Sequence, residues 1–309
     1  MKQASFRRSI TALAVAASLG FALPALADNT TANISGSINA NDYSQYTVIA
    51  KDPATGLERV ISVSDEGSFR FAKLPTGVYD ITVKKGDAVV AEQKTRISLG
   101  SNTSLAFDFI DNDGTERIEV TGARISAIDL SSTDSGLVID EVELDRMPVS
   151  RNITAVALLA PGTVMGDSSF SSPNSGGTAS FGGASVAENS CYINGMEVTN
   201  TSQGLGCGTV PFEFYKEFQV KTGGYSAEFG RATGGVVNAI TKSGTNEFKF
   251  GGEVYYTPDA LRGEGQDTRY PDGRYYRTNS KTEEDNLNAS VYASGAIIED
   301  TLFFYAMYE

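Results

Sequence analysis

The chain has 309 residues, of which 38 are acidic, 25 are basic, two are cysteine and none is histidine. Its formal net charge of −13 opposes binding to phosphate backbones, so we expect no nucleic-acid partner. Without histidine the chain has no Ser-His-Asp triad, no Cys-His pair and no imidazole ligand. Two cysteines are too few for a four-thiolate zinc site, and no pair of acids is distinct from the generally acidic surface. We therefore expect no enzyme: no catalytic residue, no bound metal and no cofactor.

The N-terminus is typical of an export signal. Three basic residues precede an apolar run over 10–23, and Ala25-Leu26-Ala27 has the small-x-small pattern that a signal peptidase cuts. We predict a signal peptide over residues 1–27, with cleavage between Ala27 and Asp28. A membrane anchor is the alternative, but the run is shorter than the ~20 apolar residues that span a bilayer. Cleavage removes three basic residues, which takes the formal net charge from −13 to −16.

Residues 29–109 have the pattern of a small all-β sandwich, with short β-rich runs between turn sequences. Two turns are predicted, at Ser64-Asp65-Glu66-Gly67 and at Leu74-Pro75-Thr76-Gly77, where glycine supplies a positive φ and proline presets φ. The predicted strands are 47–50, 60–63, 68–71, 79–83 and 105–109.

Within this region, Asp65-x-Gly67-x-Phe69-x-Phe71-x-x-Leu74-Pro75-x-Gly77-x-Tyr79 resembles the carboxypeptidase regulatory-like, prealbumin-type sandwich. Phe69 and Phe71 are two residues apart, so a strand would place both on one face. A generic sandwich with similar turns is the alternative. The resemblance implies an accessory module and not a peptidase.

Residues 110–134 are predicted to be a linker that contains an extended, β-branched segment at 118–125. One interpretation is an ordinary linker strand. The other is a strand that pairs with a partner protein by β-augmentation.

Residues 135–247 are richer in glycine and serine, above all over 168–185. A helix-like run at 152–160 ends at Pro161-Gly162, and Asn194-Gly195 predicts a tight hairpin turn within 192–198. The glycine-rich loops at 168–185 and 204–208 are candidates to face a substrate, although such stretches are more often simple loops.

A series of motifs in this region resembles the plug domain of TonB-dependent outer-membrane receptors, in particular the Oar-like group with a regulatory-like sandwich in front. Its parts run in order from Leu144-Asp145-Arg146-Met147-Pro148 to Gly223-Gly224-Tyr225-Ser226-Ala227-Glu228-Phe229-Gly230-Arg231 and on to Asn246. The plug-motif residues are Pro148, Arg151, Asn152, Pro161, Gly162, Asn194, Gly195, Glu228, Gly230, Arg231, Gly234, Gly235 and Asn238.

The resemblance implies an outer-membrane protein of a Gram-negative bacterium that imports an extracellular substrate when TonB rearranges the plug. TonB would be a direct partner, the ExbB and ExbD energising complex an indirect one, and outer-membrane lipid the surroundings. The sandwich and the 118–125 segment would lie on the periplasmic side. The candidate TonB box is Ile118, Glu119, Val120, Thr121 and Gly122.

Residues 248–309 have the alternation of outer-membrane β-barrel strands. Phe248, Phe250, Val254 and Tyr256 alternate with polar or small residues, and 287–297 has a second alternating run. A long polar loop over 257–285 separates these runs, and a tight turn around Glu299-Asp300 leads to a third strand over 301–308. A soluble strand pair is the alternative. An open sheet cannot persist in lipid, so we expect a longer protein with a complete barrel.

Cys191 and Cys207 both fall in the region that resembles the plug, and they are the only cysteines. Because the periplasm is oxidising, we predict a disulfide between them. Two separate buried thiols are the alternative.

The fold class expected from these patterns is mainly β: a prealbumin-like sandwich, an α+β plug and the first strands of a truncated barrel. A secreted or surface-attached adhesin, in which the sandwich binds carbohydrate, is the alternative function. It accounts for the signal and the acidity, but not for the alternating strands after Asn246.

Overall fold

The structure, a computed structural model, describes residues 29–109, 134–167, 177–200, 205–261, 263, 265–278, 280 and 285–309. Among these residues, none of the helices is both long enough and apolar enough to cross a membrane. The predicted signal peptide and the 118–125 segment lie outside the described residues.

The N-terminal region is a sandwich of two sheets around one apolar core. One sheet has the order β4-β1-β7, and the other has the order β3-β2-β5-β6. Phe69 and Phe71 are both buried between the sheets, as their spacing predicts, and Phe107 packs against Phe69. The strands are β1 Thr31–Asn39, β2 Tyr46–Lys51, β3 Glu58–Ser62, β4 Ser68–Pro75, β5 Gly77–Lys85, β6 Ala88–Ile97 and β7 Asn102–Asp108.

The turn predicted at Leu74-Pro75-Thr76-Gly77 was wrong in its extent. β4 continues through Pro75 and β5 begins at Gly77, so Thr76 alone separates them, and only Gly67 of the two predicted turn glycines has a positive φ, +76°. The reason is that β4 and β5 belong to different sheets, so the chain crosses over and does not fold back as a hairpin. β4 is an edge strand, which tolerates a proline because no neighbour needs its missing donor.

The plug region, which the sequence delimits as residues 135–247, contains a five-stranded sheet with the order β12-β11-β14-β13-β8. β11 and β14 are parallel, and the other neighbours are antiparallel. A small hairpin, β9-β10, lies beside it. The strands are β8 Ser135–Ile139, β9 Thr163–Met165, β10 Ala179–Phe181, β11 Ser190–Ile193, β12 Met196–Glu197, β13 Tyr215–Gly223 and β14 Val236–Thr241.

Two short helices, α1 (Glu141–Arg146) and α2 (Ile153–Ala157), accompany this sheet. The helix predicted over 152–160 is therefore present but shorter, with Asn152 as its N-cap and Leu158 as its C-cap. α1 was missed, although Asp140 and Glu143 form a capping box in which each side chain bonds the other's backbone N–H. One apolar face of the sheet packs on these helices and forms a second core.

The hairpin predicted at Asn194-Gly195 is confirmed. It joins β11 to β12, and its central residues have φ of +49° and +79°, which a type I′ turn requires. The Asn194 side chain also accepts a hydrogen bond from the Thr241 N–H at 3.0 Å, so the turn is fixed to the end of β14.

The C-terminal residues form an antiparallel sheet with the order β15-β18-β19. The predicted alternation is confirmed: Phe250 and Val254 are 79% and 70% exposed, whereas Ser290 and Ser294 are buried. The tight turn is also present, with φ of +57° at Asp300. The long loop contains a small hairpin that was not predicted. The strands are β15 Lys249–Thr257, β16 Thr268–Arg269, β17 Tyr275–Arg277, β18 Asn286–Ile298 and β19 Leu302–Tyr308.

Candidate functional site

Arg151 is the centre of a polar and aromatic cluster that joins the plug region to the C-terminal sheet. Its guanidinium donates two hydrogen bonds to the two carboxylate oxygens of Glu213, in the fork geometry that suits an Arg–carboxylate pair. The same guanidinium lies 5.0 Å from the ring centre of Phe212 and 4.0 Å from that of Tyr255, on β15. We call Arg151, Phe212, Glu213, Glu253 and Tyr255 the Arg151 cluster.

The cluster is largely removed from water. The side chains of Arg151 and Glu213 are only 19% and 9% exposed. Burial raises the pKa of the Glu213 carboxyl, and the neighbouring Glu253 carboxylate adds to this, while Arg151 acts in the opposite direction. Burial disfavours the charge on Arg151, but its bonds and attraction to Glu213 outweigh that effect and raise the pKa of Arg151. The charged forms of Arg151 and Glu213 therefore stabilise each other.

Two more contacts hold the plug region against the C-terminal sheet. The ring of Phe214 meets the ring of Tyr305 edge-on, with centres 5.3 Å apart. At Gly244, a Cβ would lie 2.3 Å from the Phe304 carbonyl and 2.6 Å from the Gly295 carbonyl, so only glycine permits this close approach. The plug region is thus packed directly on the inward row of the strands.

The glycine pair Gly234-Gly235 has a separate packing role at the start of β14. A Cβ on Gly234 would lie 2.6 Å from Asn189 Oδ1, and a Cβ on Gly235 would lie 2.2 Å from the buried Phe181 ring. Asn189 Oδ1 also accepts the Gly235 N–H at 3.1 Å. The pair therefore lets β14 lie against β10 and the segment before β11.

We predict that Gly235→Ala lowers the free energy of unfolding of the plug region by about 1–3 kcal/mol, because the new methyl group overlaps the Phe181 ring near its attachment point. Gly223→Ala is the matched control, since a Cβ there would meet no atom within 4 Å. Urea unfolding of both variants, followed by hydrogen exchange in β14, gives the comparison. Equal stability of the two variants would refute the packing role.

The other plug-motif residues occupy several places. Asn238 is fully buried on β14 and donates to the Asn29 carbonyl at 2.6 Å. Arg231 forms an exposed ion pair with Glu197 at 3.5 Å. Glu228 and Gly230 lie at a short 3-10 helix, where Phe229 supplies the buried side chain. Pro148, Pro161 and Gly162 lie just beyond the two helices.

The structure joins Cys191 and Cys207 by a disulfide, with Cα atoms 5.6 Å apart. Hydrogen bonds from Val198 N–H to the Cys191 carbonyl and from Gly208 N–H to the Val198 carbonyl hold the same two segments together. Beside the disulfide is a cavity of about 430 Å³, lined in part by Phe181, Phe212 and Tyr215.

Several predicted site residues cannot be placed. The candidate TonB box, Ile118, Glu119, Val120, Thr121 and Gly122, and the cleavage site, Ala27-Asp28, lie outside the described residues, as do residues 168–176 and 204 of the glycine-rich loops. Within the described ranges, no group of three or more Cys, Asp or Glu side chains is arranged to hold a metal ion.

Sequence reasoning selected Arg151 but missed its partners Glu213, Glu253 and Tyr255. Glu213 lies between Phe212 and Phe214, and a charged residue between two aromatic ones is a signal for a paired, buried charge. Glu253 and Tyr255 belong to the inward row of β15. The alternation of residues indicates this row, but it does not indicate that the row lies beside Arg151.

Known proteins give an independent comparison. A family model described as TonB-dependent Receptor Plug Domain matches residues 129–236. The TonB-dependent transporter Oar from Myxococcus xanthus is 27% identical over 310 residues, which cover 96% of this chain and 28% of that protein. The chain thus spans little more than a quarter of the length of this curated relative.

Two solved structures show weak likeness. The siderophore receptor PirA from Acinetobacter baumannii has a TM-score of 0.42 and 22% identity, covering 56% of this chain and 24% of that chain. The TIE protein of Bacillus anthracis has a TM-score of 0.23 and 9% identity, covering 90% and 48%. Neither likeness carries an argument at these TM-scores.

The family model covers the five-stranded sheet up to the start of β14, and the Oar relative aligns across sandwich, plug and C-terminal strands alike. Residues 129–236 of this chain are thus similar to the plug domain of TonB-dependent receptors, and the chain as a whole is similar to the TonB-dependent transporter Oar.

Proposed function

We propose that this chain acts within an outer-membrane receptor of a Gram-negative bacterium that binds an extracellular substrate and imports it when TonB rearranges the plug. The single observation that carries the proposal is the Arg151 cluster. Glu213 holds the Arg151 side chain within the plug, and the Arg151 guanidinium lies 4.0 Å from the ring centre of Tyr255 on the first barrel strand. This contact supports a plug that is seated against the inward row of the barrel strands.

The proposed domain order follows the sequence prediction. Residues 1–27 are the signal peptide, 29–109 the regulatory-like sandwich, 110–134 the linker, 135–247 the plug, and 248–309 the first barrel strands. The sandwich and the linker would face the periplasm, where TonB reaches them. The work is conformational, so the proposal requires no bond chemistry in the substrate.

The linker is proposed to carry the TonB box at Ile118, Glu119, Val120, Thr121 and Gly122. Its β-branched residues favour an extended backbone, which pairs with a partner strand through main-chain donors and acceptors. Force applied at this position would act on the chain immediately before the plug begins.

We predict that Val120→Pro in the full-length receptor abolishes binding to the purified periplasmic domain of TonB, because proline lacks the N–H donor that strand pairing uses. Val120→Ala is the matched control, since it shortens the side chain and keeps the donor. Pull-down from detergent extracts measures both. If Val120→Pro binds TonB as well as Val120→Ala does, the box lies elsewhere.

The alternative function, a secreted adhesin, can be distinguished from the receptor by the cellular location of the protein. A receptor with barrel strands remains in the outer-membrane fraction after washing with salt or urea, because lipid contacts hold it. An adhesin of similar sequence is released into the medium or the wash. Fractionation of cells that express the full-length protein therefore tests the proposal, and release would overturn it.

A further inference from the structure

The five-stranded plug sheet has a polar face opposite its apolar core. On β13, Glu217 and Gln219 are two residues apart and point to this face, and Asn238 lies beside Gln219 on the paired strand β14. These three side chains are 3%, 7% and 0% exposed. Buried polar groups require partners, and here the sandwich supplies them.

Glu217 and Gln219 hold the backbone of Leu99 from both sides. The Leu99 N–H donates to Glu217 Oε1 at 2.5 Å, and Gln219 Nε2 donates to the Leu99 carbonyl at 3.0 Å. We call this pair of bonds the Leu99 clamp. The neighbouring Gly100, at φ +64°, approaches so closely that a Cβ would lie 2.4 Å from Gln219 Nε2.

Other contacts extend the same interface. Lys216 Nζ donates to the Thr76 carbonyl at 2.9 Å, and Asn238 donates to the Asn29 carbonyl. Burial raises the pKa of the Glu217 carboxyl, which the bond from the Leu99 N–H partly offsets. Several hydrogen bonds, most of them buried, therefore hold the sandwich to the plug.

The loop between β2 and β3 of the sandwich also reaches the point where the plug region meets the barrel strands. The Asn246 N–H donates to the Ala54 carbonyl at 2.8 Å. A Cβ on Gly56 would lie 1.9 Å from Asp300 Oδ1, so the loop touches the β18–β19 turn. Buried Asp52 holds this loop in shape by bonding the Ala54 N–H and the Thr55 hydroxyl.

From these two sets of contacts we infer that the sandwich is a releasable brace, which joins the plug to the first barrel hairpin and separates on the barrel side first. The plug side consists of several buried bonds, one of them to the Glu217 carboxyl. The barrel side consists, among the described residues, of the contact between Gly56 and the β18–β19 turn and of one backbone hydrogen bond to Asn246, where the plug region meets the barrel strands. Several buried bonds are harder to break than a single bond at the edge of an exposed loop, so the sandwich moves with the plug when the plug moves.

Hydrogen exchange on the full-length receptor in outer-membrane vesicles tests the plug side of the brace. In Glu217→Ala/Gln219→Ala we expect the amides of residues 97–101 to exchange at least about tenfold faster, because both Leu99 bonds are lost. The loop over 52–57 should also exchange faster, since the sandwich is then held only at one side. Glu217→Gln keeps an acceptor for Leu99 and should retain slow exchange.

A second pair of variants tests the barrel side at Asn246, the plug residue whose side chain also bonds Asp300 in the β18–β19 turn. Asn246→Pro removes the donor to Ala54, and Asn246→Ala keeps it while losing the same side chain. We expect faster exchange over 52–57 only in Asn246→Pro, with residues 97–101 as slow as in the wild type. The brace is refuted if the double alanine variant leaves 97–101 protected, and the order of release is refuted if Asn246→Pro frees 97–101.

Discussion

Arg151→Met in the full-length receptor is expected to lower the free energy of unfolding of the plug by about 3–5 kcal/mol, the usual cost of leaving a buried charge unpaired. Glu213 is the charge left behind, since its side chain is only 9% exposed and its carboxylate would lose both bonds from the guanidinium. Methionine retains much of the length of the apolar part of the arginine side chain. The measured loss of stability therefore reports on the charge and the two hydrogen bonds of the guanidinium.

Hydrogen exchange of β13 and β14 amides measures this loss. Since about 1.4 kcal/mol corresponds to a tenfold change, we expect protection to fall by between about two and four orders of magnitude. The double variant Arg151→Met/Glu213→Gln should recover much of it, because no charge is then buried alone.

Arg231→Met is the matched control, because Arg231 is another arginine of the plug motif but its ion pair with Glu197 is exposed, with side chains 57% and 36% accessible. Exposed pairs contribute about 0–1 kcal/mol, so protection should hardly change. A similar loss in both arginine variants, or no recovery in the double variant, would show that burial of the Arg151–Glu213 pair is not what stabilises the plug.

Local patterns predicted much of the fold, because they depend on residues close together in the chain. Alternation of apolar and polar residues gave the faces of β15 and β18, and Asn194-Gly195 gave a hairpin whose φ values few other dipeptides adopt. The spacing of Phe69 and Phe71 placed both rings in one core.

The elements that were not predicted, β1, β6 and α1, have only weak local signals of this kind. β1 is the central strand of its sheet, yet Gly36 and four serines or asparagines weaken its β pattern. Gly36 is required because a Cβ would lie 2.3 Å from the Phe69 ring. The sequence of β6 is largely polar because alternate residues face solvent. α1 is a helix of only six residues that is fixed by its capping box.

The candidate site could be predicted only in part, because its partners are distant in sequence. Arg151 and Glu213 are 62 positions apart, and Leu99 and Glu217 are 118 apart. No spacing rule links such residues from one sequence. The polar residues Glu217 and Gln219 in a strand beside buried Phe218 and Val220 do indicate a second, polar contact surface, although not which domain covers it.

The second large effect is expected from the disulfide. Replacing both cysteines, as Cys191→Ala/Cys207→Ala, should lower the free energy of unfolding of the plug by about 3 kcal/mol, the chain-entropy estimate for a loop of about 15 residues. The sequence separation of 16 in the structure agrees with that loop length. Alanine is chosen because Cys191 is buried, and a serine hydroxyl there would need a partner.

The loop that the disulfide closes restrains motion within the folded plug, and it also restricts the unfolded chain. It ties β11, which pairs with β14 in the middle of the plug sheet, to the segment that leads to Phe212 and the Arg151 cluster. Reduction of the wild-type protein should therefore reproduce the alanine variant, with faster exchange over 205–210. Mass spectrometry of non-reduced, membrane-extracted receptor should show one bond between the two cysteines. Two free thiols would show that the mature plug does not contain the disulfide. Unchanged stability after reduction would show that the hydrogen bonds around Val198 hold this loop without the disulfide.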